Sequence, residues 1–183
     1  MTITVTIPKR LVIEAKKRGI EDIESKLIEN LLRELDLNPR DEADIHLRLA
    51  EKFLQEGKKL IDEEPTRSSE KLYKAVEECV KALTMYFNLR EVIVGIKERG
   101  RWTVTDLEKA VRILSRDIGK WFRESWDIAN YLHVWGFHEA KLDREAIVVR
   151  IEYVERVVKE TKKIIKYSKP HNETRTRHAA TVL

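Results

Sequence analysis

The sequence contains few of the residues that make disulfides and tight turns, and it lacks a long apolar run. One cysteine, six glycines and four prolines occur among 183 residues, which excludes an intrachain disulfide and predicts few tight turns. No apolar run reaches the roughly 18 residues that a membrane span requires, and the threonine-rich amino terminus is unlike a signal peptide. These absences predict a cytoplasmic protein without a membrane partner. A single glutamine beside abundant Lys and Glu indicates a thermophilic source.

Charged residues make up 37% of the chain, but the two signs nearly cancel. There are 36 basic and 32 acidic residues, which gives a formal net charge of +4. Basic residues exceed acidic ones locally in two segments, residues 9–18 and 159–178. These segments are either solvated helix faces or the places where an anionic partner such as a nucleic acid binds.

Apolar residues make up 42% of the sequence, and they recur at helical spacing through most of the chain. The predicted fold class is therefore all-α, an antiparallel multi-helix bundle. Asn38 and Pro39 indicate a helix start, because asparagine caps helices and proline fits the first helical position. Pro65 begins the next long helix, which is predicted to pack against the helix that begins at Pro39 as an antiparallel hairpin. Thr105 and Glu108 predict a capping box at the start of another helix.

The later segments are less uniform. Residues 121–137 are rich in aromatic side chains and predict one helix, and Asp143 begins the last helix. Residues 91–96 fit either a helix or a strand. Cys79 lies at helical spacing with apolar residues, which predicts a buried side chain rather than a nucleophile. The predicted organisation is an arm of residues 1–37, a bundle of residues 38–168 and a flexible tail of residues 169–183.

The first residues predict a short amino-terminal β-strand. Threonine and apolar residues alternate over residues 2–7, and Pro8 ends the pattern. A lone strand cannot satisfy its own backbone groups. It must pair with residues 91–96 or with a second copy of the chain across a two-fold axis, and the second arrangement predicts a homodimer.

Residues 3–20 resemble the start of ribbon-helix-helix proteins. The resemblance rests on the alternating segment, on the Pro8 that ends it, and on the Ala-Lys-Lys-Arg-Gly sequence at residues 15–19. In that family the strand pairs between protomers and its outward polar side chains contact the DNA major groove. The resemblance implies a set of nucleic-acid-binding residues: Thr4, Thr6, Lys9, Arg10, Lys16, Lys17 and Arg18. The alternative is an arm that only dimerises the protein or covers an edge of the bundle.

The middle of the chain resembles the HEPN superfamily, in which two long antiparallel helices carry a Lys-Ala-x-Glu-x-x-x-Lys-Ala run. Residues 69–83 contain this run. Most of the chain is more similar to the archaeal PaREP repeat family. That similarity rests on the amino-terminal Ile-Pro and Ala-Lys-Lys-Arg-Gly elements, the same run, Arg101-Trp102 and residues 132–139. The resemblance implies a helical bundle, often dimeric, and no settled activity.

Many HEPN proteins are metal-independent ribonucleases in which an arginine and a histidine, separated by four to six intervening residues, lie on one late helix. The histidine exchanges a proton with the ribose, and the arginine holds the phosphate. His133 and His138 lie in the predicted late helix, but no arginine stands at this spacing before either of them. Arg123 lies ten residues before His133, nearly three helical turns away. The candidate catalytic residues are therefore His133, His138 and Arg123, in a pattern that departs from that of the superfamily.

The two histidines are about 500° of rotation apart on an α-helix and would point in different directions. A helix break at Gly136 would allow both to face one pocket. Asp127, Glu139 and His46 are the side chains that could then complete a metal site or an acid–base pair. The alternative is a pair of packed, hydrogen-bonded histidines.

The sequence contains no Gly-rich phosphate loop, nucleophile elbow or paired-cysteine motif, so it predicts no cofactor and no metal ion. The predicted function is that of a non-catalytic, dimeric, HEPN-like bundle that binds nucleic acid, either RNA or DNA, or a protein partner. A metal-independent, toxin-like ribonuclease and a purely structural assembly protein are the alternatives. The sequence alone does not decide whether the protein is an enzyme.

Overall fold

A computed structural model describes residues 4–20 and 23–167 of the chain. All regular structure within these residues is helical, which confirms the all-α antiparallel bundle. A π-helix, Leu132–His138, follows α7 directly. The α-helices in chain order are α1 (Lys9–Lys17), α2 (Ile23–Leu35), α3 (Pro39–Leu60), α4 (Pro65–Tyr86), α5 (Arg90–Arg99), α6 (Val104–Ile118), α7 (Lys120–Tyr131) and α8 (Arg144–Tyr167).

Helices α3 and α4 form the predicted antiparallel hairpin, and both begin where the sequence indicates. The Asn38 side chain accepts hydrogen bonds from the backbone N–H groups of Arg40 and Asp41, at 3.1 and 3.0 Å. Pro39 is the first residue of α3 and Pro65 is the first residue of α4. Proline lacks only an N–H that would have no partner in the first turn of a helix, so both starts are stable.

Helix α4 is the centre of the bundle and packs against α3, α6, α8 and the π-helix. Full burial of a valine or leucine side chain contributes about 1.5–3 kcal/mol, so this helix supplies much of the stability of the fold. Burial raises the pKa of the Cys79 thiol to about 12, which confirms that Cys79 is a core residue. The fully buried apolar side chains of α4 are Leu72, Ala75, Val76, Cys79, Val80, Ala82 and Leu83.

The capping box predicted at Thr105 and Glu108 is wrong by two residues. The box of α6 consists of Thr103 and Asp106. Asp106 accepts from the Thr103 backbone N–H at 2.9 Å, and the Asp106 N–H donates to the Thr103 hydroxyl at 3.3 Å. Both pairs place an acidic residue three residues after a threonine, but only the Asp106 carboxylate is also held by the Arg99 guanidinium from the end of α5, at 2.6 Å. The ion pair between Asp106 and Arg99 of the preceding helix therefore distinguishes the capping box that forms from the one that the sequence predicted.

The predicted amino-terminal strand is not seen. Residues 4–8 are irregular, and residues 1–3 lie outside the described part of the chain. Residues 91–96, one of the two possible partners, belong to helix α5 and cannot pair with a strand. A strand needs a neighbouring strand for its backbone groups, and the described part of this single chain supplies none.

The tail predicted over residues 169–183 also lies outside the described residues. In the part of the chain that the structure covers, none of the helices combines the length and the apolar character needed to cross a membrane.

Candidate functional site

The π-helix replaces the second half of the helix predicted over residues 121–137. In a π-helix the hydrogen bonds connect residue i with residue i+5, so these two residues lie close to one another along the axis. His133 and His138 have this separation, and the π-helix therefore brings them to one face. On the α-helix predicted from the sequence, a break at Gly136 would be needed to bring the two histidines together, but the π-helix does so without a break.

Gly136 allows the π-helix to lie directly on α4. A Cβ atom at this position would stand 2.5 Å from the Cβ of Ser69 and closer still to its hydroxyl oxygen. The Ser69 hydroxyl is buried and has no hydrogen-bond partner, so the contact depends on close packing rather than on a hydrogen bond. This packing sets the position of the π-helix relative to α4.

Glu70 of α4 completes a chain of three side chains that we call the histidine array: Glu70, His133 and His138. A carboxylate can only accept hydrogen bonds, so the Nδ1–H of His133 donates to Oε2 of Glu70, at 2.7 Å. The Nε2 atoms of His133 and His138 lie 3.0 Å apart, and the Nε2–H of His138 donates to His133. The His133 ring stacks on Tyr73, with centroids 4.1 Å apart.

The histidine array has the chemistry of a proton relay. A carboxylate on one imidazole nitrogen fixes the tautomer and the orientation of that ring. His138 at the outer end of the array is exposed, so it can exchange a proton with solvent or with a bound molecule. The arrangement is that of a general acid–base group without a nucleophile of its own.

The other predicted partners lie elsewhere. Arg123 is exposed on α7, and within the described residues no hydrogen bond, ion pair or ring contact joins it to the histidine array. Asp127 and Glu139 are exposed, and His46 is buried in a separate cluster on α3. In the described ranges, no group of three or more His, Cys, Asp and Glu side chains is placed to hold a metal ion.

A buried charge cluster lies on the face of α4 that meets α3 and α2; it consists of His46, Glu77, Glu78, Lys81 and Glu29. Lys81 is completely buried. Its Nζ lies 2.7 Å from Glu77, 2.9 Å from Glu78 and 3.1 Å from Glu29. His46 Nδ1 donates to Glu78 Oε2 at 2.6 Å. One ammonium group therefore contacts three carboxylates.

The groups of this cluster hold one another in the charged state. Burial by itself would raise the pKa of Glu78, but the charges of Lys81 and His46 outweigh burial and lower that pKa to about 2. Burial opposes the charge of Lys81 as well, and its neighbouring carboxylates raise its pKa well above the ordinary value. His46 also has a raised pKa, because Glu78 and Glu42 outweigh the opposing effect of burial.

Sequence reasoning missed both Glu70 and the buried charge cluster. The signal for the cluster was present in the sequence. Glu77, Glu78 and Lys81 interrupt residues 75–83 of α4, whose other positions are apolar, and charges at core-facing positions occur in pairs. Glu70 carried no comparable signal, because its partner His133 faces it only through the packing of the π-helix on α4.

The arm exposes all the residues predicted to bind nucleic acid. No residue of α1 is buried, and its basic side chains extend into solvent. Lys17 pairs with Glu14 at 2.9 Å, an exposed interaction of small energy. The exposed residues of the predicted set are Thr4, Thr6, Lys9, Arg10, Lys16, Lys17 and Arg18.

The arm also leaves apolar side chains uncovered. Val5 is 73% exposed, Leu11 is 60% exposed and Leu31 is 59% exposed. Leu27 lines an apolar groove of about 230 Å³ between the first residues, α1 and α2. Helix α2 contacts the bundle through the buried Leu32 and through ion pairs, while its other leucines face away from the core.

Comparison with known proteins covers the bundle. The profile of the archaeal PaREP1/PaREP8 family matches residues 45–158. A crystal structure of a Sulfolobus solfataricus protein, structural-genomics target SsR10, is 31% identical, with a TM-score of 0.54, and the match covers 68% of this chain and 97% of that one. A solution structure of target SsR10 is also 31% identical, with a TM-score of 0.53, over 71% of this chain and 95% of that one. No curated protein is found to match the chain.

Proposed function

This chain belongs to the archaeal PaREP1/PaREP8 family, and from that premise we propose that it is a homodimer that binds double-stranded DNA through its amino-terminal arm. The arm, residues 1–37, precedes the part of the chain that the family profile matches, residues 45–158. In this proposal the arm binds DNA and the bundle is a scaffold.

The uncovered apolar face of the arm carries the proposal. Large exposed apolar patches mark interaction sites. Val5, Leu11 and Leu27 line one apolar groove, and the exposed Leu31 follows Leu27 by one turn of α2. The arm has an uncovered apolar face and backbone groups that no strand in the described part of the chain pairs with, and a second copy of the arm would cover the one and pair with the other. The second copy supplies a matching apolar face, and its residues 4–8 supply a strand for the backbone groups of the first copy.

The charges of the arm favour a nucleic acid as the ligand of such a dimer. Lys9 and Arg10 directly follow the segment that would pair, and Lys16 and Arg18 lie at the other end of α1, so these exposed cations could contact phosphates on either side of the groove. Thr4 and Thr6 are exposed within that segment. A two-stranded ribbon fits the major groove of B-form DNA, whereas the major groove of double-stranded RNA is deep and narrow. Duplex DNA is therefore the better match.

Removing two charges from the arm tests the DNA contact. We expect Lys9→Gln combined with Arg10→Gln to weaken binding to a labelled DNA duplex about tenfold at low salt, because the variant loses phosphate contacts. Each lost contact should also reduce the slope of log affinity against log salt concentration by about one unit. Fluorescence anisotropy at several salt concentrations measures both quantities. The control, Arg116→Gln with Lys120→Gln, removes the same charge from exposed positions on the bundle. Equal affinities for the two variants would contradict the assignment.

The same titration includes an arm variant that cannot dimerise. Leu27→Glu with Leu31→Glu places charges on the apolar face, so we expect a monomer in light scattering and loss of DNA binding. Val149→Glu introduces a charge at another exposed apolar position, 62% exposed on α8, and is expected to change neither property. A wild-type protein that is monomeric at high concentration and binds no DNA would overturn the proposal.

The geometry of the histidine array favours a second candidate function, metal-independent cleavage of RNA. His138 would accept the proton of a ribose 2′-hydroxyl, whose oxygen attacks the adjacent phosphorus and displaces the 5′-oxygen, which takes a proton from water. His133, which Glu70 holds, would share the charge of the protonated His138. We expect RNA degradation in the presence of a chelator and a roughly hundredfold slower rate in His138→Ala. Glu139→Gln changes a neighbouring exposed side chain as the control. Identical rates in the two variants would assign the degradation to a contaminant and remove this candidate.

A further inference from the structure

A second cavity, distinct from the histidine array and from the groove of the arm, lies beneath α2. Its volume is about 270 Å³, and it is bounded by α2, the start of α3, the end of α4 and α5 with the turn that follows it. Its walls are largely apolar and include one aromatic ring, together with the carboxylates of Glu29, Asp36 and Glu42. The main apolar wall residues are Leu32, Leu37, Met85, Ile93, Ile96 and Trp102.

His46 lines this cavity but does not open into it. The side chain is only 2% exposed, and its Nε2 is buried without a hydrogen-bond partner among the described residues. Glu42 Oε1 lies 3.9 Å from this nitrogen, which is within ion-pair range but too long for a hydrogen bond. The acceptors that the cavity does expose are the carboxylates of Glu42 and Glu29, whose side chains are 20% and 27% exposed.

The mouth of the cavity is basic. Arg33, Lys97 and Arg101 line it and are exposed. Lys97 is paired with Asp36 at 3.5 Å, and the Arg33 guanidinium lies against the turn at Gly100. Arg101 makes no ion pair with any of the residues that the structure describes. The mouth thus has positive charge to offer an anion.

We infer that this cavity binds a nucleoside monophosphate. A planar heterocycle fits between Trp102 and the aliphatic wall, and an amino group on its edge donates to the carboxylate of Glu29 or Glu42. The phosphate then lies at the mouth, against Arg33 and Arg101. The cavity volume of about 270 Å³ is near the lower limit for ligand pockets, so the cavity is too small for a dinucleotide. This site is independent of the DNA contact, since none of these residues lies on α1.

Binding is measured by calorimetry and by tryptophan fluorescence, with AMP, GMP, CMP and UMP as the probes. We expect saturable binding of at least one of them, and at least tenfold weaker binding of the matching nucleoside and of inorganic phosphate. Arg101→Gln should weaken binding at least tenfold, because it removes the unpaired cation at the mouth. Arg116→Gln, an exposed charge on α6, should not change it. Trp102→Phe should abolish the fluorescence change while heat is still released.

Three results would overturn the inference: no saturable heat with any of the four nucleotides at millimolar concentration, equal affinity for inorganic phosphate, or equal affinity of the Arg101→Gln and Arg116→Gln proteins. The Lys9→Gln, Arg10→Gln protein separates this site from the arm. It is expected to bind the nucleotide as wild type does, whether or not the arm binds DNA.

Discussion

Replacement of Lys81 by methionine is expected to lower the free energy of unfolding by about 3–5 kcal/mol, a large part of the stability of a domain of this size. Lys81 is completely buried and contacts the carboxylates of Glu77, Glu78 and Glu29. Methionine keeps the length and apolar stem of lysine but removes the charge. Glu77 and Glu78 would then be buried with only Lys74 and His46 as nearby cations.

Denaturation by urea, followed by helical circular dichroism, measures the loss. Lys58→Met is the matched control, because Lys58 forms an exposed ion pair with Glu155 between α3 and α8, and such pairs contribute at most about 1 kcal/mol. Adding Glu77→Gln to Lys81→Met should restore part of the stability, since it removes one unpaired charge. If Lys81→Met costs no more than Lys58→Met, the buried charge cluster does not depend on its lysine.

Gly136→Ala should destabilise the protein by about 3 kcal/mol, because overpacking a well-packed contact typically costs 1–3 kcal/mol or occasionally more. The new methyl carbon would stand 2.5 Å from the Cβ of Ser69, which is too close for two carbon atoms. The π-helix and α4 must therefore separate. Since α4 carries Glu70 and the π-helix carries His133, the hydrogen bond between them is lost as well.

Two further variants distinguish this clash from the general effect of alanine. Gly95→Ala on α5 would meet only the flexible end of the Arg99 side chain, so it should be neutral or stabilising by up to about 1 kcal/mol. Ser69→Gly in the Gly136→Ala background removes the opposing atoms and should restore part of the stability. The nuclear magnetic resonance signals of the His133 and His138 rings report whether the histidine array reforms. A Gly136→Ala protein as stable as Gly95→Ala would contradict the close contact.

The histidine array illustrates why the sequence predicted only part of the candidate site. His133 and His138 were identifiable as the residues capable of acid–base chemistry, but at α-helical geometry they point apart. Their meeting depends on a π-helix, and the sequence contained no rule that located one there. Glu70 is 63 residues away from His133 in the chain, so only packing of two elements places it on the imidazole.

The start of α6 is another feature that the sequence alone could not locate correctly. In both Thr103 with Asp106 and Thr105 with Glu108, an acidic residue stands three residues after a threonine, but only the second pair has the glutamate of the usual capping box, and the sequence therefore predicted that pair. The contact of Asp106 with Arg99 from the preceding helix distinguishes the box that forms. Likewise, residues 91–96 were ambiguous because a short apolar run fits either period, and their packing as part of α5 against α4 and α6 makes them helical.

The sequence by itself determined the all-α class, the starts of the two long helices at Asn38–Pro39 and Pro65, and the burial of Cys79. These features depend on local backbone preferences and on apolar periodicity, which act between residues close in the chain. Only the tertiary structure decided the histidine array, the buried charge cluster and the cavity beneath α2. Each of them depends on polar side chains from distant elements, and a polar side chain reveals its role only when its partner and its burial are known.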